Sequence, residues 1–478
     1  APFTHHPYVR AAYLMRPNLN CVVSVSGIRG VVGDTLNVHE ILGLAAAYGT
    51  VAAHGGPVVL GRDSRPTGTM IAQVVTGALR SVGCQVIDLG VVPTPTVPIM
   101  VKQLGAMGGV MISASHNPVE WNALKFFNHE ARNIDQHQLD WILNTYRDPP
   151  IGMWKRWDHI GGQRNDETAL DTHLAKVLAA VDVARIRERA FTVLVDSVNG
   201  SGAMLAPRLL QALGCRVIPL HSRIDILFPR DPEPTASNVV ETGAVVKAVG
   251  ADVGFVQDPD ADRLAIIDEH GRYIGEEYTL ALCGAARLQA AKSAGNPSPL
   301  ACTNLSTSRM LEDLAARIGG RVLRTKVGEA NVVDAMQANQ AVVGGEGNGG
   351  VIDPRVAFCR DSHIAMALLL ELMANSDASL SSQVAEVPTY AMHKEKILLD
   401  RAGVAKGIEL VKAHSLAQGA ELDTRDGLKL SWPDRWVHLR ASGTEPASRI
   451  ISEAPTAAKA MQLAADVRAV LGVEMTLH

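Results

Sequence analysis

Three aspartates at alternate positions, Asp258, Asp260 and Asp262, stand in the stretch QDPDADRLAIID at 257–268. In an extended segment such residues face one way, so the three carboxylates can converge on one centre. Left unpaired, they would raise one another's pKa values and destabilise the fold. A divalent cation removes the conflict, and an all-oxygen ligand set points to Mg2+, with Mn2+ or Ca2+ as alternatives. An EF-hand loop also opens D-x-D-x-D, but it needs a glycine at its sixth position, where this chain has Arg263, and helical flanks. Here the flanks, ADVGFV and LAIID, read as strands. The other alternative is an exposed acidic turn. Apolar strands on both sides instead put the turn at a sheet end, where sites tend to lie.

A second stretch, GGVMISASHNPVEWNALKFF (108–127), is an apolar strand, a polar turn and a resumed apolar run. Ser113, Ser115, His116 and Asn117 crowd the turn, and Pro118 stops it continuing as helix. Ten residues after Ser115, Lys125 lies between Leu124 and Phe126. A lysine among apolar groups is expected to have a lowered pKa and to serve as a general acid or base. Three readings of the turn compete. Ser115 and His116 can be a hydrolase nucleophile and base, although adjacent side chains seldom meet and no G-x-S-x-G elbow surrounds Ser115. The turn can be without function. Or Ser115 can carry a phosphoryl group whose charge requires the cation at the aspartates.

The elements that must position these residues recur along the chain. PVVLGRDSR (57–65) leads through a helical stretch to VGCQVIDLG (82–90); FTVLVDSVNGSG (191–202) leads likewise to LGCRVIPL (213–220); and PLACTNLSTS (299–308) leads through RMLEDLAARI to GGRVLRT (319–325). Each reads strand, helix, strand with a glycine stop, which predicts three similar α/β domains with parallel or mixed sheets. Beyond about residue 390, YAMHKEKILLD, LKLSWPDRWVHLRASGTEPASRIISEA and TAAKAMQLAADVRAVLG predict a smaller antiparallel α+β domain. The boundaries expected are an N-terminal extension at 1–22 and domains at 23–165, 166–274, 275–387 and 388–478, with Pro388 and Thr389 near a linker.

Composition narrows the function. Of 478 residues, 47% are hydrophobic and 20% charged, enough for a sizeable core, and the net charge of -4 with 4% aromatics argues against nucleic acid and anionic membranes as partners. The longest apolar runs, ILGLAAAYG and IAMALLLELMA, are too short to span a bilayer, and no signal pattern opens the chain. Cys21, Cys84, Cys215, Cys283, Cys302 and Cys359 are scattered, which fits reduced, buried thiols in a cytoplasmic protein.

SASHNP with Lys125, together with DPDADR, resembles the α-D-phosphohexomutase superfamily, whose members include phosphoglucomutase, phosphomannomutase and phosphoglucosamine mutase. The resemblance covers most of the chain: SGIRG (26–30) is similar to the family's N-terminal arginine loop, GRDSRPTG (61–68) to its first β-α turn, GGEGNGG (344–350) to its sugar-specificity loop and RASGTEPASR (440–449) to its C-terminal phosphate loop. It implies three α/β domains and a smaller fourth, arranged as a heart around a central cleft. It also implies an enzyme phosphorylated on Ser115 that moves a phosphoryl group between the 6- and 1-oxygens of a hexose phosphate through a bound 1,6-bisphosphate. One Mg2+ per chain is then held by Asp258, Asp260, Asp262 and Ser115. Lys125 is the candidate acid/base, Arg29 and Arg263 stabilise phosphoryl charge, and His116 is structural or a hydrogen-bond donor.

For the non-reacting phosphate, Arg440 and Arg449 offer charge-assisted bonds, with Ser442, Gly443 and Thr444 adding donors. Glu346 and Asn348 can hold sugar hydroxyls, and the glycines around them let backbone approach a ligand; without the resemblance that loop would read as a flexible turn. Three features depart from the family pattern. VSVSGIRG replaces the usual F-G-T-x-G-I-R-G, Asn348 replaces a serine, and TKVGEANV offers Glu329 where some members have histidine. ISASHNP and KFF are closer to phosphoglucosamine mutases, so glucosamine phosphate is the expected substrate, with mannose or glucose phosphates as the alternative. An inactive sugar-phosphate-binding protein or a phosphatase is more remote. A monomer or homodimer is the expected assembly.

Overall fold

The computed structural model describes residues 19–441 and 448–473. The expected N-terminal extension lies almost entirely outside the described residues, as do Ser442, Gly443 and Thr444. Four sheets follow one another along the chain. The first holds β1 (Val22–Ser24), β2 (Gly27–Val31), β3 (Val58–Arg62), β4 (Val86–Val91), β5 (Gly108–Ile112), β6 (Trp121–Asn128) and β7 (Gln163–Asn165), in the order β1-β2-β6-β5-β3-β4-β7. The second holds β8 (Thr192–Asp196), β9 (Arg216–Leu220), β10 (Val253–Gln257) and β11 (Leu264–Asp268), ordered β11-β10-β8-β9. The third holds β12 (Leu300–Asn304), β13 (Arg321–Thr325), β14 (Val343–Glu346) and β15 (Gly350–Ile352), ordered β13-β12-β14-β15.

The strand–helix–strand repeats are the parallel pairs β3–β4, β8–β9 and β12–β13. Each unit then adds a third parallel strand beside the first, β5, β10 or β14. That strand turns back into an antiparallel partner, β6, β11 or β15. Strands covered on both faces need apolar side chains on both, and β5 and β10 are buried throughout. The serine turn, the aspartate turn and the sugar-loop turn therefore occupy the same place in three copies of one topology.

The fourth sheet is antiparallel throughout, as the sequence predicts, with β16 (Ala391–Ile397), β17 (Glu421–Asp423), β18 (Leu428–Ser431), β19 (Trp436–Ala441) and β20 (Ser448–Ala454) ordered β16-β20-β19-β18-β17. Helices Arg401–Ala413 and Ala457–Leu471 accompany it.

The second and third units share a core. Helix Ser362–Ala374 is apolar on nearly every face and buried accordingly. Its Ile364, Leu368 and Leu369 join one cluster with Val193 and Phe255 of the second unit and Leu280 and Ala301 of the third. The first unit is tied on by Ile99, which joins the same cluster, and by polar contacts: Ser64 Oγ donates to Asn199 O at 2.7 Å, and Thr94 N to Asp260 O at 2.9 Å. All six cysteines are buried and free. Among the described residues, no helix is long and apolar enough to cross a membrane.

Candidate active site

Ser115 sits in the turn after β5 with φ +52°, a left-handed conformation that a residue with a Cβ seldom adopts. A network behind the turn holds it there. Asp63, just past β3, accepts from Ser113 Oγ at 2.6 Å and forms an ion pair with Arg65. Ser113 Oγ in turn accepts from Ser115 N at 2.9 Å, and Arg65 Nη2 donates to Ser115 O at 2.9 Å. The Ser115 hydroxyl does not turn to His116. It crosses to the aspartate turn and donates to Asp258 Oδ2 at 2.7 Å.

The three aspartates are fully buried and do converge: one oxygen of each lies within 4.8 Å of the others. Thr94 Oγ1 and Lys125 Nζ both donate to Asp260 Oδ2, the lysine at 2.5 Å, and Lys125 Nζ stands 3.7 Å from Asp262 Oδ2. Asp260 Oδ1 and Asp262 Oδ1 are buried with no hydrogen-bond partner among the described residues. Such oxygens carry a desolvation penalty that a hard cation relieves. The residues therefore fit Mg2+. Burial, and then repulsion from Asp260 and Asp262, push Asp258 well above the usual carboxylate range. Burial also pushes Asp260 up, but the charge and hydrogen bond of Lys125 outweigh it and hold Asp260 below that range.

Lys125 corrects one expectation. Burial does pull its pKa down, as the apolar neighbours predict, but Asp260 and Asp262 outweigh burial and the net shift is upward. With those carboxylates ionised, Lys125 is held as an ammonium.

Three cationic or neutral donors gather over the serine turn. Arg29, on β2, donates from Nη1 to Asn117 Oδ1 at a long 3.4 Å, and Arg263 follows Asp262 directly, its Nε 3.9 Å from Asp262 Oδ1. Burial, then the charge of Arg263, lowers the Arg29 pKa. Burial, then Arg263 and Arg29, push His116 well below the usual histidine range, so its ring is neutral. Arg29 Nε, Arg263 Nε and His116 Nδ1 are buried without hydrogen-bond partners among the described residues. Buried donors that repel one another suit an anion.

The sugar-loop turn meets the aspartate turn directly, since Leu264 N donates to Gly349 O at 3.0 Å. Glu346 Oε1 accepts from Asn304 Nδ2 at 2.9 Å and from Gly328 N at 3.1 Å. Arg360 joins the turns. Its Nε donates to Glu329 Oε2 at 2.6 Å, its Nη2 to Asp262 Oδ2 at 3.0 Å and its Nη1 to Asn348 Oδ1 at 3.3 Å, and Nη1 lies 3.4 Å from Glu346 Oε2. Glu329 is thus an ion-pair partner of an arginine.

In the fourth unit, Arg440 and Arg449 face one another across β19–β20 at the root of the turn. Asp426 holds Arg440 through Nε at 3.3 Å and accepts from Val327 N of the third unit at 3.0 Å.

Family profiles described as phosphoglucomutase/phosphomannomutase α/β/α domains I, II and III match residues 22–149, 171–271 and 276–390, and the profile for the C-terminal domain matches 392–470. The chain belongs to the α-D-phosphohexomutase superfamily. A phosphoglucomutase/phosphomannomutase of Thermococcus kodakarensis is 37% identical over 91% of this phosphohexomutase chain and 95% of its own length. A phosphoglucosamine/phosphogalactosamine mutase of Sulfurisphaera tokodaii is 33% identical over 90% of this chain and 94% of its own. The crystal structure of a phosphoglucomutase/phosphomannomutase family protein from Burkholderia thailandensis superposes with TM-score 0.82 at 26% identity, covering 96% of this chain and 99% of that one.

Several residues of this candidate site lack a signal of their own in the sequence. Arg360 lies in VAFCRDSHIA and Thr94 in VVPTPTVP, neither with a spacing that suggests chemistry. Asp63 and Arg65 fall inside GRDSRPTG, where the motif is visible but not the task of each side chain.

Proposed function

We propose that the chain interconverts hexose 6-phosphates and hexose 1-phosphates through a phosphorylated Ser115 and a sugar 1,6-bisphosphate, with glucosamine phosphate as substrate. The observation that carries this reading is the 2.7 Å bond from Ser115 Oγ to Asp258 Oδ2, made between two separate turns beside Lys125. A hydroxyl brought to a cation-binding carboxylate cluster and covered by Arg29, Arg263 and His116 suits phosphoryl transfer.

In the forward half-reaction the P–O bond to Ser115 Oγ breaks while a bond forms to the sugar's free hydroxyl oxygen. In the second half, the other phosphate returns to Ser115 Oγ. Bound Mg2+, held by Asp258, Asp260, Asp262 and a phosphoserine oxygen, would offset charge on the transferring group and counter the carboxylates that keep Lys125 protonated. Lys125 Nζ then takes and returns the sugar hydroxyl proton. Asp258 Oδ2, which Ser115 Oγ faces at 2.7 Å, gives a proton to that oxygen as its P–O bond breaks and takes it back on the return step. Arg29 and Arg263 bind the phosphoryl oxygens, and Arg440 and Arg449, with the 442–444 segment, hold the phosphate that does not react. Glu346 and Asn348 orient the sugar, Glu346 through Oε2, because Oε1 already accepts two bonds.

The sugar assignment draws on Glu346, whose carboxylate can pair with a substrate ammonium, and on relatives named for glucosamine phosphate. The Thermococcus relative supports a second reading, a mannose and glucose phosphate mutase. One assay decides between them. Glucosamine, glucose and mannose phosphates are compared, each primed with its own bisphosphate, while free phosphate and Ser115 phosphorylation are followed. Turnover of glucosamine phosphate with little phosphate release is expected. Faster turnover of mannose 1-phosphate would overturn the sugar assignment, and release of phosphate without isomerisation would overturn the mutase.

A further inference from the structure

Behind the aspartate turn lies a second cluster of ligand-type side chains, His173, Asp361 and His363, all fully or nearly fully buried. Unlike the aspartates, it is saturated. His173 Nε2 bonds Asp361 Oδ2 at 2.7 Å and its Nδ1 bonds Thr96 Oγ1 at 2.8 Å. Asp361 Oδ1 takes His363 Nδ1 at 3.0 Å and His363 N at 2.8 Å. With Nε2–H on His173 and Nδ1–H on His363, every donor meets one acceptor. No ligand atom is left pointing into space, so the cluster reads as a hydrogen-bonded lock and not as a metal site.

The lock joins three units. Thr96 opens helix Thr96–Leu104 of the first, His173 lies on helix Ala169–Leu178 at the start of the second, and Asp361 caps helix Ser362–Ala374 of the third. Each strand of the lock ends at a different position of the aspartate turn. Two residues before Thr96, Thr94 holds Asp260 through its backbone N and its hydroxyl. One residue after Asp361, Ser362 Oγ donates to Ala261 O at 2.6 Å, steadied by Gln257 Nε2 at 2.8 Å. One residue before Asp361, Arg360 holds Asp262. Ala261 itself has φ +57°, a conformation that surrounding contacts must impose.

We propose that His173, Asp361 and His363 are positioning residues that fix the aspartate turn, through Thr94, Ser362 and Arg360, in the shape that binds the cation. The proposal rests on the cation site at Asp258, Asp260 and Asp262. Outer partners of metal ligands commonly change affinity by about 10–100-fold.

The test is Mn2+ binding to the full-length protein, read by electron paramagnetic resonance, beside mutase activity and thermal stability. Asp361→Asn is the principal variant, because asparagine still caps the helix but cannot accept from both histidines. It is expected to raise the Mn2+ Kd about 10-fold or more, together with the half-saturating Mg2+ concentration. His173→Leu should act likewise, and His173→Gln, which keeps a donor for Asp361, should recover most of the loss. A purely structural lock would lower the melting temperature and leave the Kd of the folded protein unchanged, and that result would overturn the proposal. Asp258→Asn separates the two levels: if it binds Mn2+ as tightly as the wild type, the cation site itself is wrongly placed.

Discussion

Removing the Arg360 guanidinium should be the most damaging single change near the site that spares the reacting groups. Arg360→Met keeps the length and much of the apolar volume. It leaves Glu329, Asp262 and Glu346, all buried, without the cation that faces them at 2.6, 3.0 and 3.4 Å. At about 3 Å in an effective dielectric near 20, each contact is worth about 5 kcal/mol before desolvation. Desolvation takes back most of that, and breaking a buried pair from one side costs about 3–5 kcal/mol net. With Glu329 and Glu346 left without a cation, and Asp262 keeping only Lys125 at 3.7 Å and Arg263 at 3.9 Å, the upper part of that range is expected. Glu329→Gln alone removes one charge from an arginine that keeps two others and should cost less. In the double variant the glutamine no longer needs a cation, so the loss should fall short of the sum by about 1–3 kcal/mol. Urea unfolding followed by tryptophan fluorescence and by circular dichroism measures this and shows whether the units unfold together. A loss below about 1 kcal/mol for Arg360→Met, or strict additivity with Glu329→Gln, would refute the argument that Arg360 compensates these carboxylates.

Ser115→Ala and Ser115→Gly should both abolish turnover and phosphoserine, yet the glycine variant should unfold at higher urea by about 1 kcal/mol, because it adopts φ +52° without strain; equal midpoints would deny the strain. Gly347→Ala places a Cβ 2.0 Å from Glu277 Oε2, which must then leave Ser308 N, and should cost about 1–3 kcal/mol and raise KM for the hexose phosphate; unaltered stability and KM would show that the loop yields freely. Burial pushes Glu277 up to about 7 despite Lys394, so the folded state binds a proton that the unfolded state releases near 4.5, and stability should decline as pH rises between those values. Glu277→Gln should flatten that slope, read from urea midpoints across the range, and a parallel slope would sink the assignment.

The strand–helix–strand repeats were legible because their signals are local: β-branched runs such as VVL and VLV, and glycines at the helix ends. The aspartate turn was legible because alternate spacing on an extended segment has one geometric outcome. Arg360 was not, since its partners Glu329, Asp262 and Asn348 come from separate segments, a helix start and two turns, and only the folded chain brings them together. Lys125 shows the same limit in electrostatic form. Its apolar sequence neighbours correctly report burial, but the decisive carboxylate belongs to Asp260, 135 residues further along. His173, Asp361 and His363 have no motif for the same reason.

The three turns share more than position. Each carries a left-handed residue, Ser115 at φ +52°, Ala261 at φ +57° and Gly349 at φ +85°. A left-handed step tightens the return from a parallel strand into its antiparallel neighbour and points the intervening side chains beyond the sheet end. In a unit taken alone, this would merely expose polar groups. With the second and third units sharing a core and the first held by Ser64 and Thr94, the three sheet ends face one another, so a serine, a carboxylate cluster and a sugar loop meet without any one unit holding a complete site. The chemistry therefore depends on how accurately the units are held together. On the proposed reaction, Arg360 and the buried histidine lock would set that accuracy although neither is placed at the transferring group.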